Sequence, residues 1–139
     1  MLGEPGLLPD GINSWTPDAR MRSMMSPTLI ENQVYQTEMV LGTGGAVRIP
    51  FVLAQMLLNF YQYQMPLEKA VQQPRMYFDG KELHVEAADD VTINLNVPVR
   101  RWRDLSMYFG GVNAIASQDK SLIAVGDQRR FGETLRYTE

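Results

Sequence analysis

Residues 40–50 read VLGTGGAVRIP. An apolar run, Met39 to Leu41, enters a turn of Gly42, Thr43, Gly44 and Gly45, and a long apolar stretch opening at Ala46 leaves it. Strand, glycine turn, helix is the order that bares backbone N–H groups at a helix start, where their dipoles favour negative charge. The turn is not a Walker loop, because no Gly-Lys-Ser/Thr follows and the nearby cation is Arg48. Nor does it fit GxGxxG. The pattern alone leaves three readings open: a phosphate cradle, an oxyanion site, or a tight strand-to-helix connection.

Downstream, Val47 to Gln64 carries the strongest helical signal in the chain. Ile49, Val52, Met56, Phe60 and Tyr63 recur at spacings of three and four, and Arg48, Gln55, Asn59 and Gln62 form one narrow polar stripe. So wide an apolar surface predicts a helix buried between a sheet and another layer. Pro66 opens a second, short helix over Leu67–Gln73, and Pro74 ends it.

Upstream, Ser26–Glu31 and Val34–Leu41 predict an antiparallel hairpin about Asn32-Gln33. After the helices, MYFDGKELHVEA predicts a second hairpin, with Asp79-Gly80 as its turn and Leu83 and Val85 on one face. Residues 89–109 read as a short helix or strand, and Gly110-Gly111 as a break. Val112–Ser117 and Ser121–Gly126 predict a last hairpin. The fold class is therefore α+β, with antiparallel strands and covering helices. We divide the chain into an extended arm (1–20, rich in Gly, Pro, Asp and Asn), a body of sheet and helices (21–127) and a loose polar tail (128–139).

The 139 residues fit one domain or part of one, and 45% hydrophobic with 21% charged residues is a globular composition. Lys and Arg total 13 against 16 Asp and Glu, a net charge of −3, which speaks against nucleic acid as a partner. Arg100-Arg101-Trp102 is the one local basic cluster and reads as a solvated strand end. There is no cysteine, so disulfides and thiolate metal sites are excluded. Met21, Met24 and Met25 read as core filler. Leu7, Leu8, Ile12 and Trp15 make the arm apolar enough to need cover from elsewhere.

Candidate chemistry is sparse. His84 is the single histidine and, by alternation, points away from Leu83 and Val85, which predicts a solvent-facing side chain without catalytic or metal partners. A His-based triad and a two-His zinc site are excluded. A nucleophile would be a Ser or Thr activated without His, or would lie outside the chain. Ser23 and Ser26 could donate hydroxyls to a ligand. Glu4 reads as a solvated loop acid, and Asp127 as a cap or a surface partner of Arg129 or Arg130, a kind of pair that contributes little. No motif calls for a cofactor or a metal.

Taken in order, the segments resemble the γ-glutamyltranspeptidases and their acylase-like relatives among the N-terminal nucleophile hydrolases. The likeness runs from Met1 to about Gly132. MLGE is similar to the segment after the family's Asn-Asn pair, and RSMMSPTLI to its Ser-Ser-Met-Ser-Pro-Thr strand. LGTGGAVRIP resembles its Gly-Ser-Pro-Gly-Gly-Ser-Arg-Ile turn and helix. LEKAVQQPRMYF and ELHVEA resemble its Ala-x-x-x-Pro-Arg element and the strand after it, and AVGDQRR its Gly-Asp-Pro-Arg ending.

The resemblance implies the C-terminal portion of the small subunit in a four-layer αββα sandwich. It implies an enzyme that cleaves or transfers γ-glutamyl amides such as glutathione, after internal cleavage frees a Thr whose hydroxyl attacks and whose α-amine acts as base. That Thr would precede Met1, so the segment alone is expected to be inactive. By position, Gly44 and Gly45 match the oxyanion-hole glycines, Ser23 the first of two serines that bind the substrate α-carboxylate, and Glu4 an acid that holds the substrate α-amine.

Met24 stands where the second serine is usual, and Gln128 where the ending motif has Pro. The implied partners are the rest of the precursor (large subunit and N-terminal part of the small subunit) and a γ-glutamyl small molecule, with self-association expected of the isolated segment. A non-catalytic homologue or interaction module is the competing reading. Family members are periplasmic, extracellular or cytosolic.

Overall fold

A computed structural model describes residues 11, 17–18, 20, 23–34, 36–87, 92–118 and 121–135. The elements are β1 (Thr28–Asn32), β2 (Thr37–Gly44), α1 (Ile49–Leu57), α2 (Leu67–Gln72), β3 (Met76–Phe78), β4 (Leu83–Glu86), β5 (Val99–Trp102), β6 (Gly111–Gln118) and β7 (Ser121–Gly126). They form two sheets: a four-stranded antiparallel sheet ordered β1-β2-β6-β7, and a three-stranded sheet ordered β3-β4-β5 in which β4 and β5 run parallel. The expected hairpins over β1–β2, β3–β4 and β6–β7 are present.

Alternation sorts the large sheet into two faces. Met39, Leu41, Val112, Ala114 and Ala116 point inward and meet Ile49, Val52, Leu53, Met56, Leu67 and Val71 of the two helices in one core. Pro50 falls in the first turn of α1, where its missing N–H is no loss. On the opposite face, Leu29, Val40 and Ile115 lie in register across three strands and stay 50–77% exposed. Among the described residues, only the inner face of the main sheet carries a packed layer of helices.

The helix differs from the regular one expected over 47–64. A 3₁₀ turn (Ala46–Arg48) leads into α1, and α1 runs into a π-helical turn at Leu58–Gln62, closed by Tyr63 N–H donating to Leu58 C=O at 3.0 Å. The wide turn rotates the residues beyond it by roughly 100°. Ile49, Val52 and Met56 keep the inner face, while Tyr63, expected on the same stripe, is 66% exposed. Phe51 and Leu58 are about half exposed, and Phe51 lies edge-on to the Tyr77 ring of β3 at 5.2 Å.

Residues 99–102, in the stretch expected to hold a short helix or strand, are a strand, recruited as the parallel neighbour of β4, and residues 107–109 form a 3₁₀ turn. Two further expectations are corrected. The tail is not loose at its start: Arg129, in the 3₁₀ turn Gln128–Arg130, is buried. His84 is buried too, only 4% exposed, because β4 is the central strand of its sheet and Trp102 and Tyr108 cover the face that alternation assigns to solvent.

Candidate functional site

The glycine turn sits where β2 ends. Gly44 pairs with Gly111 of β6, Gly45 takes φ 130° and Ala46 takes φ 55°. Two successive left-handed residues swing the chain from the sheet into the helix. Alanine is disfavoured there, at about 1–2 kcal/mol, so this is locally strained backbone. Among the described residues no acceptor takes the Gly45 N–H. A donor without a side chain, at the mouth of a helix, is what an oxyanion site requires.

A second glycine pair backs the turn. Gly110 has φ 82°, and a Cβ placed on it would lie 2.4 Å from the Gly44 carbonyl oxygen and 2.7 Å from Thr43 Oγ1. Glycine is therefore obligatory at 110, and the pair expected to be a mere break is a packing surface. Thr43 Oγ1 donates to Gly44 C=O at 2.9 Å and accepts from Gly111 N–H at 3.0 Å. Arg48 Nε donates to Tyr108 C=O at 2.6 Å, with its guanidinium 4.1 Å from the Tyr108 ring. These contacts fix both ends of the turn on the 107–111 segment. Neither Thr43 nor Tyr108 stood out in the sequence, because their partners lie some 60 residues away.

Of the other expected site residues, Glu4 lies outside the described residues. Ser23 is exposed, and its Oγ accepts from Met25 N–H at 3.1 Å. Its segment enters β1 at Thr28, opposite Leu41, so it reaches the sheet from the end where β2 finishes and the glycine turn begins. Among the described residues no hydrogen bond joins Ser23 to Gly44 or Gly45. Met24 packs against the main core, whereas Met25 is exposed.

Behind the turn lies a buried four-charge cluster. Arg75, Glu86, Asp127 and Arg129 are each 5% exposed or less. Arg75 pairs with Asp127 at 2.6 Å, and Arg129 Nε donates to both Glu86 oxygens at 2.9 and 3.1 Å. Backbone N–H groups of Val112 and Arg129 reach Asp127, and those of Arg75 and Ser106 reach Glu86. The two arginines also take up carbonyls at the end of α2 and at Phe109. Two positive and two negative groups leave no net buried charge, and no buried side-chain N or O lacks a partner among the described residues. Burial alone would raise the Asp127 carboxyl, but Arg75 and the Val112 and Arg129 N–H groups outweigh it and hold it below the usual carboxylate range. Asp127 thus caps the Arg129 N–H and pairs with Arg129, as expected, but the pair is buried rather than at the surface and Arg130 is not part of it.

His84 has the partners the sequence did not disclose. Its Nε2 lies 3.2 Å from Asp79 Oδ2 and 3.4 Å from Glu82 Oε1, while Trp102 Nε1–H points at Nδ1 from 3.4 Å. The N–H groups of Glu82 and Lys81, and then His84, hold Asp79 at about 2. These three side chains offer ligand atoms within 4.8 Å of one another. The His84 ring is held on its Nε2 side by the two carboxylates and on its Nδ1 side by the Trp102 indole.

Among the described residues the glycine turn keeps an unclaimed Gly45 N–H, is braced by a second glycine pair, and stands in front of the charge cluster that Gly126-Asp127-Gln128-Arg129 helps to build. The family model for γ-glutamyltranspeptidase matches residues 4–137. The chain belongs to the γ-glutamyltranspeptidase family. Over 137 residues it is 29% identical to a glutathione hydrolase proenzyme of Pseudomonas aeruginosa, covering 91% of this chain and 24% of that one. It is 26% identical over 130 residues to the capsule biosynthesis protein CapD proenzyme of Bacillus anthracis, covering 88% and 24%. The solved γ-glutamyltranspeptidase of Pseudomonas nitroreducens, complexed with L-DON, superposes at a TM-score of 0.73 and 27% identity, over 93% of this chain and 70% of that one. This γ-glutamyltranspeptidase-family chain thus has an α+β fold that forms part of an N-terminal nucleophile hydrolase sandwich, and it spans about a quarter of the curated relatives it matches.

Proposed function

We propose that this chain is the C-terminal part of the small subunit of an enzyme that hydrolyses or transfers γ-glutamyl amides, such as the glutathione named in its relatives. In this reading the Gly44-Gly45 turn supplies the oxyanion hole, Ser23 and Glu4 part of the substrate grip, and a residue outside the chain the attacking hydroxyl. The observation that carries the reading is the Gly45 N–H at φ 130°, which no acceptor takes among the described residues and which Thr43, Gly110 and Arg48 hold in place. Fixed donors stabilise charge as it develops on the carbonyl oxygen without reorganising during the step. The apolar outer row Leu29, Val40 and Ile115 fits burial against the rest of the precursor.

In the attack, the hydroxyl adds to the γ-carbonyl carbon, and its proton passes to the α-amine of the same residue. The C=O electrons move to oxygen, facing Gly45. Collapse re-forms the carbonyl and breaks the C–N bond, and the leaving amine takes the proton. Water or an acceptor amine then repeats the sequence on the acyl-enzyme.

The test is γ-glutamyl-p-nitroanilide cleavage by the longer precursor after processing. Gly45→Ala keeps the N–H but opposes φ 130°, and kcat should fall about 100-fold with KM less affected. Cleavage by the 139-residue chain alone, or a Gly45→Ala variant as fast as the parent, would sink the reading. Met24, which fills core rather than offering a hydroxyl, favours a substrate gripped otherwise than through paired serines.

A further inference from the structure

Four arginines approach the glycine turn and the cluster behind it, and three have protein partners of their own. Arg75 and Arg129 are neutralised in the buried cluster, and Arg48 is bonded to Tyr108. Arg130 is different. It is exposed, and its guanidinium has no carboxylate or hydrogen-bond partner among the described residues. Its backbone is anchored by donation to Asp127 C=O at 3.1 Å.

Its side chain nevertheless has a defined bed. A Cβ placed on Gly44 would lie 3.1 Å from Arg130 Nη2 and 3.2 Å from Cζ. One placed on Gly111 would lie 2.6 Å from its Cγ and Cδ. Gly44 and Gly111 are direct partners across β2 and β6. Two side-chain-free residues at one rung thus make a floor over which the arginine stem and fork lie flat. The fork ends against the residue that precedes Gly45.

We infer that Arg130 is a carboxylate-recognition residue of this site. A guanidinium offers two parallel N–H donors that match a carboxylate bidentately, and among the described residues no protein acid claims them. The inference rests on the reading of the turn as the γ-glutamyl site. Either the acyl side of such an amide or the leaving and accepting amine can bring the carboxylate.

The experiment separates both sources and both readings. Arg130→Ala and Arg130→Lys are made in the processed precursor. With γ-glutamyl-p-nitroanilide, whose carboxylate is on the acyl side only, Arg130→Ala should raise KM about tenfold with little change in kcat if the acyl carboxylate is the ligand. If the accepting amine's carboxylate is the ligand, the rise should instead appear in the KM for glycylglycine as acceptor. Arg130→Lys should recover part of the loss. Equal KM values in parent and Arg130→Ala for both substrates would overturn the inference, as would a fall in kcat and melting temperature alone.

Should the parent turn over no γ-glutamyl amide, the reading of function fails, and calorimetric titration decides about Arg130. L-glutamate, its α-methyl ester and glycylglycine are the probes. Binding of L-glutamate or glycylglycine that Arg130→Ala weakens about tenfold supports the inference. No binding, or binding indifferent to the substitution, overturns it.

Discussion

Asp127 is 1% exposed, yet it holds a full negative charge between two arginines. Removing one partner of such a buried set strands the others, at about 3–5 kcal/mol. Asp127→Asn should therefore lower stability by roughly that amount, measured by urea unfolding, while a Glu82→Gln change at the partly exposed strand turn should move it far less. The sign of the pH dependence is set by the same partners. The folded-state pKa of Asp127 lies below its unfolded value of about 3.9, so its contribution is complete above that value. It is lost as pH falls toward the folded pKa, and Asp127→Asn should flatten that acid limb. Gly110 supplies the other residue-level expectation. With φ 82° and a carbonyl oxygen 2.4 Å from any added Cβ, Gly110→Ala should destabilise by about 1–3 kcal/mol, seen as a lower melting temperature.

At the scale of elements, one side chain couples the helix layer to the smaller sheet. Gln55 of α1 donates to Met76 C=O at 2.8 Å and accepts from Met76 N–H at 2.9 Å, so it imitates a neighbouring strand along the edge of β3. Gln55→Ala should cost about 1–2 kcal/mol and speed amide exchange at Met76 ahead of the β2–β6 ladder, which proton-exchange NMR would resolve. The hairpins and α2 were legible in the sequence because turn residues and alternation are local signals. The π-helical turn was not, since apolar spacing continues through Phe60 and Tyr63 with no Gly or Pro to mark it. Nor was the burial of His84, because alternation says which face a residue takes but not what covers that face. The glycine turn could be located but its occupant could not: the Gly44-Gly45 pattern fits several anions, and the brace from Gly110 and Tyr108 comes from a distant segment. The Pro-Arg, His-Val-Glu and Gly-Asp-x-Arg segments were legible as matching pieces of one family, while their meeting in a single charge cluster required the fold.

For the molecule as a whole, the exposed row Leu29, Val40 and Ile115 decides its behaviour when separated from other chain segments. Open apolar sheet faces associate. The isolated 139-residue chain should show concentration-dependent mass by light scattering, and Val40→Lys with Ile115→Lys should shift it toward monomer. A parent that stays monomeric at all concentrations would contradict this. The charge cluster has another consequence, one of timing. Glu86 and Arg75 precede β6 and β7 in the chain, whereas Asp127 and Arg129, which neutralise them, come after every strand. During synthesis Arg75 and Glu86 leave the ribosome before Asp127 and Arg129, the ion-pair partners they have in the folded chain. The four-charge cluster therefore has to wait some 40 residues for its last two members.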